Sequence, residues 1–338
     1  MLLAIHHREG SFSERWIEYC VEQGVPHKVV NAYESDILSQ LRGAGAFFWH
    51  WSHSAPQDLM MARHVITAAE RMGLRVFPNT ATCWHFDDKI AQKYLLEALG
   101  APLVPTYVFY DRASALRWAE TTTFPKVFKL RRGAGSVNVR LVSTATQAEG
   151  LIRRAFGRGF RATAGYFANA EVRYRRATKN RDLLGALKRM PSTLLGLGRT
   201  SRLMPREKGY AYFQEFVPGN AFDTRITIIG DRAFGFTRDV RPKDFRASGS
   251  GRIDYDLSRI DQRCVKIGYD VARKMGAQSM AFDFLAGGDG PCLSEISYGF
   301  QAKAVYDCVG YWDPQRTWHE GHVWPEHAIM ADMLAGLE

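Results

Sequence analysis

Five cysteines are scattered over 338 residues (Cys20, Cys83, Cys264, Cys292 and Cys308), and no two of them form a CxxC pair. An odd number so dispersed fits reduced thiols in a cytoplasm better than a disulfide framework. No apolar run is long enough to span a bilayer. The opening MLLAI meets His6, His7 and Arg8 at once, so the apolar core of a signal peptide is missing too. These absences predict a cytoplasmic protein. No His/Cys spacing makes a zinc site, and HEGH (His319–His322) fails the HExxH spacing of metalloproteases. The chain also lacks a P-loop, a Ser-His-Asp or reactive-cysteine pattern, an internal repeat, and any nucleic-acid-binding motif.

The length suffices for two or three domains, each with its own core. A net charge of +10 suggests an anionic partner, but the charge is local. Residues 151–208 hold fifteen Lys/Arg against three acids, which leaves the rest of the chain at −2. The centre of that segment, DLLGALKRMPSTLLGLGRTSRL, mixes leucines with cations. Such a segment can lie peripherally on an anionic membrane surface, hold a polyanionic or diphosphate-bearing substrate, or be a solvated insertion. The sequence leaves these open.

Residues 1–80 alternate strand and helix patterns. LLAIH, HKVVNAY, AFFWHW (Ala46–Trp51) and RVFPN (Arg75–Asn79) read as strands, with helices predicted from Ser13 to about Gly24 and from Pro56 to Gly73. That alternation predicts a parallel sheet with ligands at the carboxyl ends of its strands. Those ends carry His6-His7-Arg8, His50-Trp51-Ser52-His53 and Asn79-Thr80, the candidate substrate contacts. Next come a helix over Phe86–Leu99 with Asp87-Asp88-Lys89 in its first turn, a strand (Thr106–Tyr110) and a helix (Arg112–Glu120). After the basic segment, YAYFQEFV (Tyr210–Val217) is a strand. FDTRITIIG, RAFGFTRDV and DFRASGSGR read as a meander of strands, and a helix spans about Ser258–Gly276. The aromatic and histidine-rich tail, read as packing or pocket wall, finishes as a helix over Pro325–Leu337.

Two stretches carry chemistry. In Phe124–Val142, Lys129 sits late on a strand that runs into Gly133-Ala134-Gly135-Ser136, and a second strand follows. A glycine-rich turn lets backbone N–H groups approach phosphate oxygens, with the lysine supplying charge; a plain glycine hairpin has the same signature. Ser279–Tyr298 is a hairpin about Gly288–Gly290 that brings Asp283 nearly opposite Glu295. Alternation puts Ala281, Asp283 and Leu285 on one side, and Leu293, Glu295 and Ser297 together on the return strand. Two carboxylates so placed repel unless something positive lies between them, and a hard divalent cation holding nucleotide phosphates, typically Mg²⁺, is the usual reason for such a pair.

In order and spacing these pieces resemble the ATP-grasp superfamily, particularly its glutathione-synthetase-like and ribosomal-protein glutamate-ligase branches, over roughly Asn79–Gly299. The resemblance implies an α/β ATP-grasp fold preceded by a parallel-sheet α/β domain. Its divisions would be 1–84, a lid subdomain over 85–217 that includes the basic insertion, and 218–338 with the metal-binding hairpin. It further implies ATP and Mg²⁺ as cofactors. Lys89 and Lys129 would reach ATP phosphates, and Gly133, Ala134, Gly135 and Ser136 would form a flexible lid. Gln214, Glu215, Phe216 and Val217 look like the hinge that reads adenine. Asp223, Arg225, Arg238 and Arg246 resemble the set that holds the acyl phosphate and positions substrates. Asp283, Glu295 and Ser297 match the metal positions. Family members usually carry Asn at Ser297 and commonly at Ser248.

The activity so implied is ATP-dependent ligation of a carboxylate to an amine through an acylphosphate. The basic insertion and aromatic tail suggest an anionic sugar acceptor, such as a uronic acid on a nucleotide or lipid diphosphate in surface-polysaccharide assembly. An amino-acid or peptide substrate is the other expectation, and a homodimer is a further one. Alternatives are a phosphotransferase on the same fold, and a non-catalytic nucleotide-binding protein with an anion- or membrane-binding insertion.

Overall fold

The chain is described from a computed structural model covering residues 1–335 except 54, 134–137, 162–205 and 243. Four short strands open it: β1 (Leu3–His6), β2 (His27–Val30), β3 (Ala46–Phe48) and β4 (Arg75–Phe77). They form an all-parallel sheet in the order β2-β1-β3-β4. The crossovers carry α1 (Ser13–Glu22), α2 (Ile37–Gln40) and α3 (Pro56–Arg71). β1 and β3 are buried along their whole length, as parallel strands covered on both faces must be. Pro56 opens α3, where its missing N–H costs nothing.

A short helix α4 (Thr80–Cys83) and then α5 (Lys89–Ala98) lead away from this sheet. α5 begins at Lys89 rather than Phe86, because Asp88 caps it by accepting from the Ile90 and Ala91 N–H groups. Asp87 lies outside the helix at φ +54. Four strands form an antiparallel sheet in the order β5-β8-β6-β7: β5 (Thr106–Phe109), β6 (Lys126–Lys129), β7 (Val139–Val142) and β8 (Ala211–Glu215). Helices α6 (Arg112–Thr121) and α7 (Ala145–Phe156) join Phe128 and Phe213 of this sheet in a core of their own.

The remaining strands build a seven-stranded antiparallel sheet. β9 (Phe222–Ile229), β10 (Arg232–Asp239), β12 (Ser279–Gly287) and β13 (Gly290–Ser297) form its main part, and β11 (Ile253–Asp254) pairs with β10. β14 (Gly310–Trp312) and β15 (Trp318–Glu320) complete the order β13-β12-β9-β10-β14-β15. Helix α8 (Gln262–Met275) packs Val265, Ala272 and Met275 against Ile226, Phe282 and Phe284 of this sheet. It is capped by Asp261 and ends at Gly276, whose φ of +66 suits glycine. α9 (Ala302–Tyr306) and α10 (Pro325–Leu334) close the chain, with α10 sharing a core with α1 and β1.

Two further stretches differ from expectation. Asp244–Arg252 is a loop, not a third meander strand: the Asp244 carboxylate accepts from the Phe245 and Arg246 N–H groups, and Gly249 and Gly251 take φ values of +75 and +76. The aromatic tail folds as the β14–β15 hairpin, with Trp312 on Trp318 at 4.7 Å and Tyr311 stacked on His319 at 5.0 Å.

Candidate active site

The β12–β13 register places Asp283 directly opposite Glu295. A bulge follows, since Phe284 pairs with Leu293 and Ser294 is the extra residue. Strict alternation would put Leu293 beside Glu295; the bulge turns it to the Phe284 side, where it is fully buried in the core. The Ser294 hydroxyl donates to the Asp283 carbonyl, and the Ser294 carbonyl accepts from Lys129 Nζ at 3.3 Å.

The two carboxylates are compensated separately. Asp283 takes both Nε and Nη2 of Arg225, at 2.7 and 2.8 Å, and Nη2 of Arg238 at 2.9 Å. Arg238 also binds both oxygens of Asp223, at 2.7 and 2.6 Å. The meander dictates this, because Arg225 lies across from Asp283 and Arg238 across from Asp223. Burial alone would raise the Asp283 pKa, but the two guanidiniums hold it well below the carboxylate range. Glu295 pairs with Lys89 at 2.8 Å, and Lys89 also donates to the Gly133 carbonyl at 2.9 Å. Burial would lower the Lys89 pKa, yet Glu295 and Asp87 outweigh it and raise it. Lys129 is buried, and among the described residues no carboxylate pairs with it. Burial lowers its pKa to about 8. A buried ammonium held by one carbonyl is a place for an anion.

Two cavities meet at these residues. The smaller, about 120 Å³, is lined by Lys129, Gln214–Val217, Asp223, Phe245 and Arg246, with Asp283, Glu295 and Ser248 on its border. The hinge side chains are committed: the Gln214 amide donates to Thr106 Oγ1, and Glu215 is held by Lys126 at 2.5 Å and the Tyr107 hydroxyl at 2.9 Å. What Gln214–Val217 offers the cavity is therefore mainly backbone and the ring of Phe216, which meets Phe245 edge-on at 5.8 Å. Arg246 is held by Asp244 on the loop at the cavity rim. Ala134, Gly135 and Ser136 lie outside the described residues.

The larger cavity, about 250 Å³, shares Ser248, Asp283 and Glu295 with the first and reaches the carboxyl ends of the parallel sheet. Arg8, His50, Trp51 and His53 line it, together with Asp87, Arg225, Arg238, Ser297 and Thr227. The other strand-end candidates are structural. His6 is buried and accepts from the Ala32 N–H. Asn79 caps α4, and Thr80 bonds Glu70. Sequence reasoning missed the site roles of Asp87, Thr227 and Ser294: Asp87 reads as an ordinary first-turn acid, and a bulge leaves no mark in the alternation.

Among the described residues no group of three acidic, His or Cys side chains could hold a metal. The donors present are nonetheless hard oxygens suited to magnesium, which usually takes one or two carboxylates and completes its shell with water and phosphate. Asp283 and Glu295 fit that role. The Ser297 hydroxyl is occupied, donating to the Gly299 carbonyl at 2.8 Å and accepting from the Gly299 N–H.

The architecture matches solved structures across nearly the whole chain. An ATP-grasp RimK domain protein from Sphaerobacter thermophilus aligns with 99% of this chain and 100% of its own, at 14% identity and a TM-score of 0.56. A biotin carboxylase from Campylobacter jejuni, in complex with β,γ-ATP, aligns over 98% and 70% at 13% identity and a TM-score of 0.59. D-alanine–D-alanine ligase from Bacillus anthracis, complexed with ATP, aligns over 88% and 85% at 10% identity and a TM-score of 0.51. The chain thus has the ATP-grasp fold. No protein-family model matches it, and no curated protein does.

Proposed function

We propose that this chain is an ATP-dependent carboxylate–amine ligase that forms an amide through an acylphosphate. The observation that carries the reading is Lys129, a buried ammonium with one carbonyl acceptor, lying where the hinge cavity meets Glu295 and Asp283. A polyphosphate in the smaller cavity would give Lys129 the counter-charge it lacks. Mg²⁺ held by Asp283 and Glu295 would add positive charge on the phosphates. Lys89 and Lys129 then neutralise the charge that develops as the γ-phosphoryl group moves to the substrate carboxylate. The neutral amine attacks the acylphosphate carbon, and Arg225 and Arg238, on the border of the larger cavity, face the oxyanion. As it collapses the C–O bond breaks, and inorganic phosphate leaves and takes up the proton lost from nitrogen. No protein nucleophile is needed. In this reading the positive segment 151–208 serves an anionic carrier on the carboxylate substrate, such as a nucleotide or lipid diphosphate.

Calorimetry of ATP and ADP binding, with and without Mg²⁺, tests the reading on the wild type and Glu295→Ala. Magnesium-dependent binding that Glu295→Ala weakens by tenfold or more is expected. Absence of nucleotide binding to the wild type would overturn the proposal. Release of ADP with amide formation separates a ligase from a phosphotransferase, which would leave a phosphate ester.

A further inference from the structure

Buried polar atoms without partners are few in folded proteins, and each asks for an explanation. Among the described residues five such atoms belong to residues that line the larger cavity: Arg8 Nε, Trp51 Nε1, His53 Nε2, Asp87 Oδ2 and Thr227 Oγ1. Arg8 leaves the end of β1 and is steadied by one bond from Nη2 to the His50 carbonyl, at 3.1 Å. Among the described residues no carboxylate comes within ion-pair distance of it. Asp58 contributes only a more distant field, since its oxygens are taken by the Tyr33 hydroxyl and the Ser52 N–H. Asp87 is the converse. One oxygen accepts from the Gly133 N–H at 2.9 Å and the other has no hydrogen-bond partner; Lys89 and His53 act on this carboxyl only through their field, and no cation of the described residues lies within ion-pair distance of it. Arg8, His53, Asp87 and Glu295 all line this one cavity, and the fields of Asp87, Lys89, Glu295 and Arg8 all reach the His53 ring. Phe236, Ile253, Phe300 and Val305 give the same cavity an apolar wall.

An unanswered guanidinium, an unanswered carboxylate oxygen and an apolar wall in one cavity specify a ligand that carries both charges and an apolar body. We propose that the amine substrate is a free amino acid with an apolar side chain. Its carboxylate lies on Arg8, its ammonium lies against Asp87 and His53, and its side chain rests on the Phe236–Phe300 wall. This rests on the ligase reading above, and it chooses the amine partner that reading leaves open. The placement puts the nitrogen on the Lys89–Glu295 side of the cavity, where the two cavities meet.

The test is calorimetric binding to the full chain with saturating Mg²⁺ and ADP. Probes are leucine of either hand, 3-methylbutylamine, which lacks the carboxylate, and 4-methylpentanoate, which lacks the amine. One hand of leucine is expected to bind at least about tenfold more tightly than either analogue, since each charge-assisted contact removed costs about that factor. Arg8→Met should bring leucine down to the level of the amine while leaving the amine itself unchanged. Asp87→Asn should bring leucine down to the level of the acid; Asn tolerates the φ of +54 and still offers an oxygen to Gly133. Retained binding of ADP shows that both variants fold. Equal binding of leucine and one analogue by the wild type, a preference surviving both substitutions, or no binding of either hand would overturn the proposal. Failure of leucine with ADP still bound would sink this inference alone, whereas failure of ADP itself would sink the ligase reading.

Discussion

Arg225 grips Asp283 by both oxygens from the facing position on the neighbouring strand, β9 against β12. Arg238 adds a third contact from β10 and carries Asp223 with it. Four charges from three adjacent strands therefore form one network, buried but for a partly exposed Arg225, on the sheet face that borders both cavities. A nucleotide's metal would draw on the same carboxylate that these arginines hold. If the smaller cavity binds Mg-nucleotide as proposed, loading it would loosen cations at the edge of the larger one and so couple the two halves of the site.

Removing one member of such a network leaves buried charge uncompensated. Arg238→Met strands Asp223 and part of Asp283 and should cost about 3–5 kcal/mol. Urea unfolding at pH 7 measures it; a loss below about 1 kcal/mol would mean that the network does not hold the sheet. The pH dependence has a definite sign. The folded pKa of Asp283 is depressed, so its contribution is complete above its unfolded value near ~3.9 and is lost as pH falls through the folded value. Wild-type stability should therefore decline on the acid side of ~3.9, and Asp283→Asn should flatten that limb.

Lys129 predicts a conflict between stability and binding. Its folded pKa, about 8, is below the ordinary lysine value. Between that value and the unfolded pKa of ~10.4 the unfolded chain binds more protons, so this residue's contribution improves as pH rises. At neutral pH the buried charge is a burden. Lys129→Met should raise the melting temperature of the nucleotide-free protein, by an amount corresponding to about 1–3 kcal/mol, while abolishing the further rise that Mg-ADP produces in the wild type. A nucleotide-free protein destabilised by Lys129→Met would contradict the view of Lys129 as an anion site kept at a cost.

Much of this was legible in residue patterns, and the limits have physical causes. The parallel sheet followed from apolar strand runs alternating with helical stripes, and the Asp283–Glu295 pairing from the turn signal at Gly288–Gly290. The bulge at Ser294 is hidden because one inserted residue leaves both flanking stretches looking regular, so alternation alone assigns Leu293 to the wrong side. The source of positive charge at Asp283 was equally hidden. The hairpin alone suggests a metal between the carboxylates, whereas the β9–β12 register brings Arg225 there first. Asp244–Arg252 misled because its alternating apolar residues mimic a strand, while Asp244 and the glycines favour a loop. The large cavity was foreshadowed only as strand ends carrying Arg8 and His53; its acidic corner, Asp87, reads from sequence as an ordinary helix start.

Asp58 gives a last test, because it acts on the cavity without lining it. It is fully buried on α3, and it accepts from the Tyr33 hydroxyl at 2.5 Å and the Ser52 N–H at 2.6 Å. The second bond fixes the backbone between Trp51 and His53, so Asp58 is a positioning residue for the wall of the larger cavity. Asp58→Ala removes the acceptor of the part-buried Ser52 N–H and of the exposed Tyr33 hydroxyl and should cost about 1–3 kcal/mol, whereas Tyr33→Phe removes only one bond and should cost about 1 kcal/mol. Burial raises the Asp58 pKa, so this carboxyl keeps its proton to higher pH in the folded chain than in the unfolded one. Its contribution is therefore largest below the unfolded value and diminishes as pH rises through the folded one. Because the hinge cavity is built from other strands, Asp58→Ala should leave Mg-ADP affinity within about twofold of the wild type while weakening amino-acid binding several-fold. Equal losses of both affinities would mean that Asp58 supports the fold as a whole and not the wall in particular.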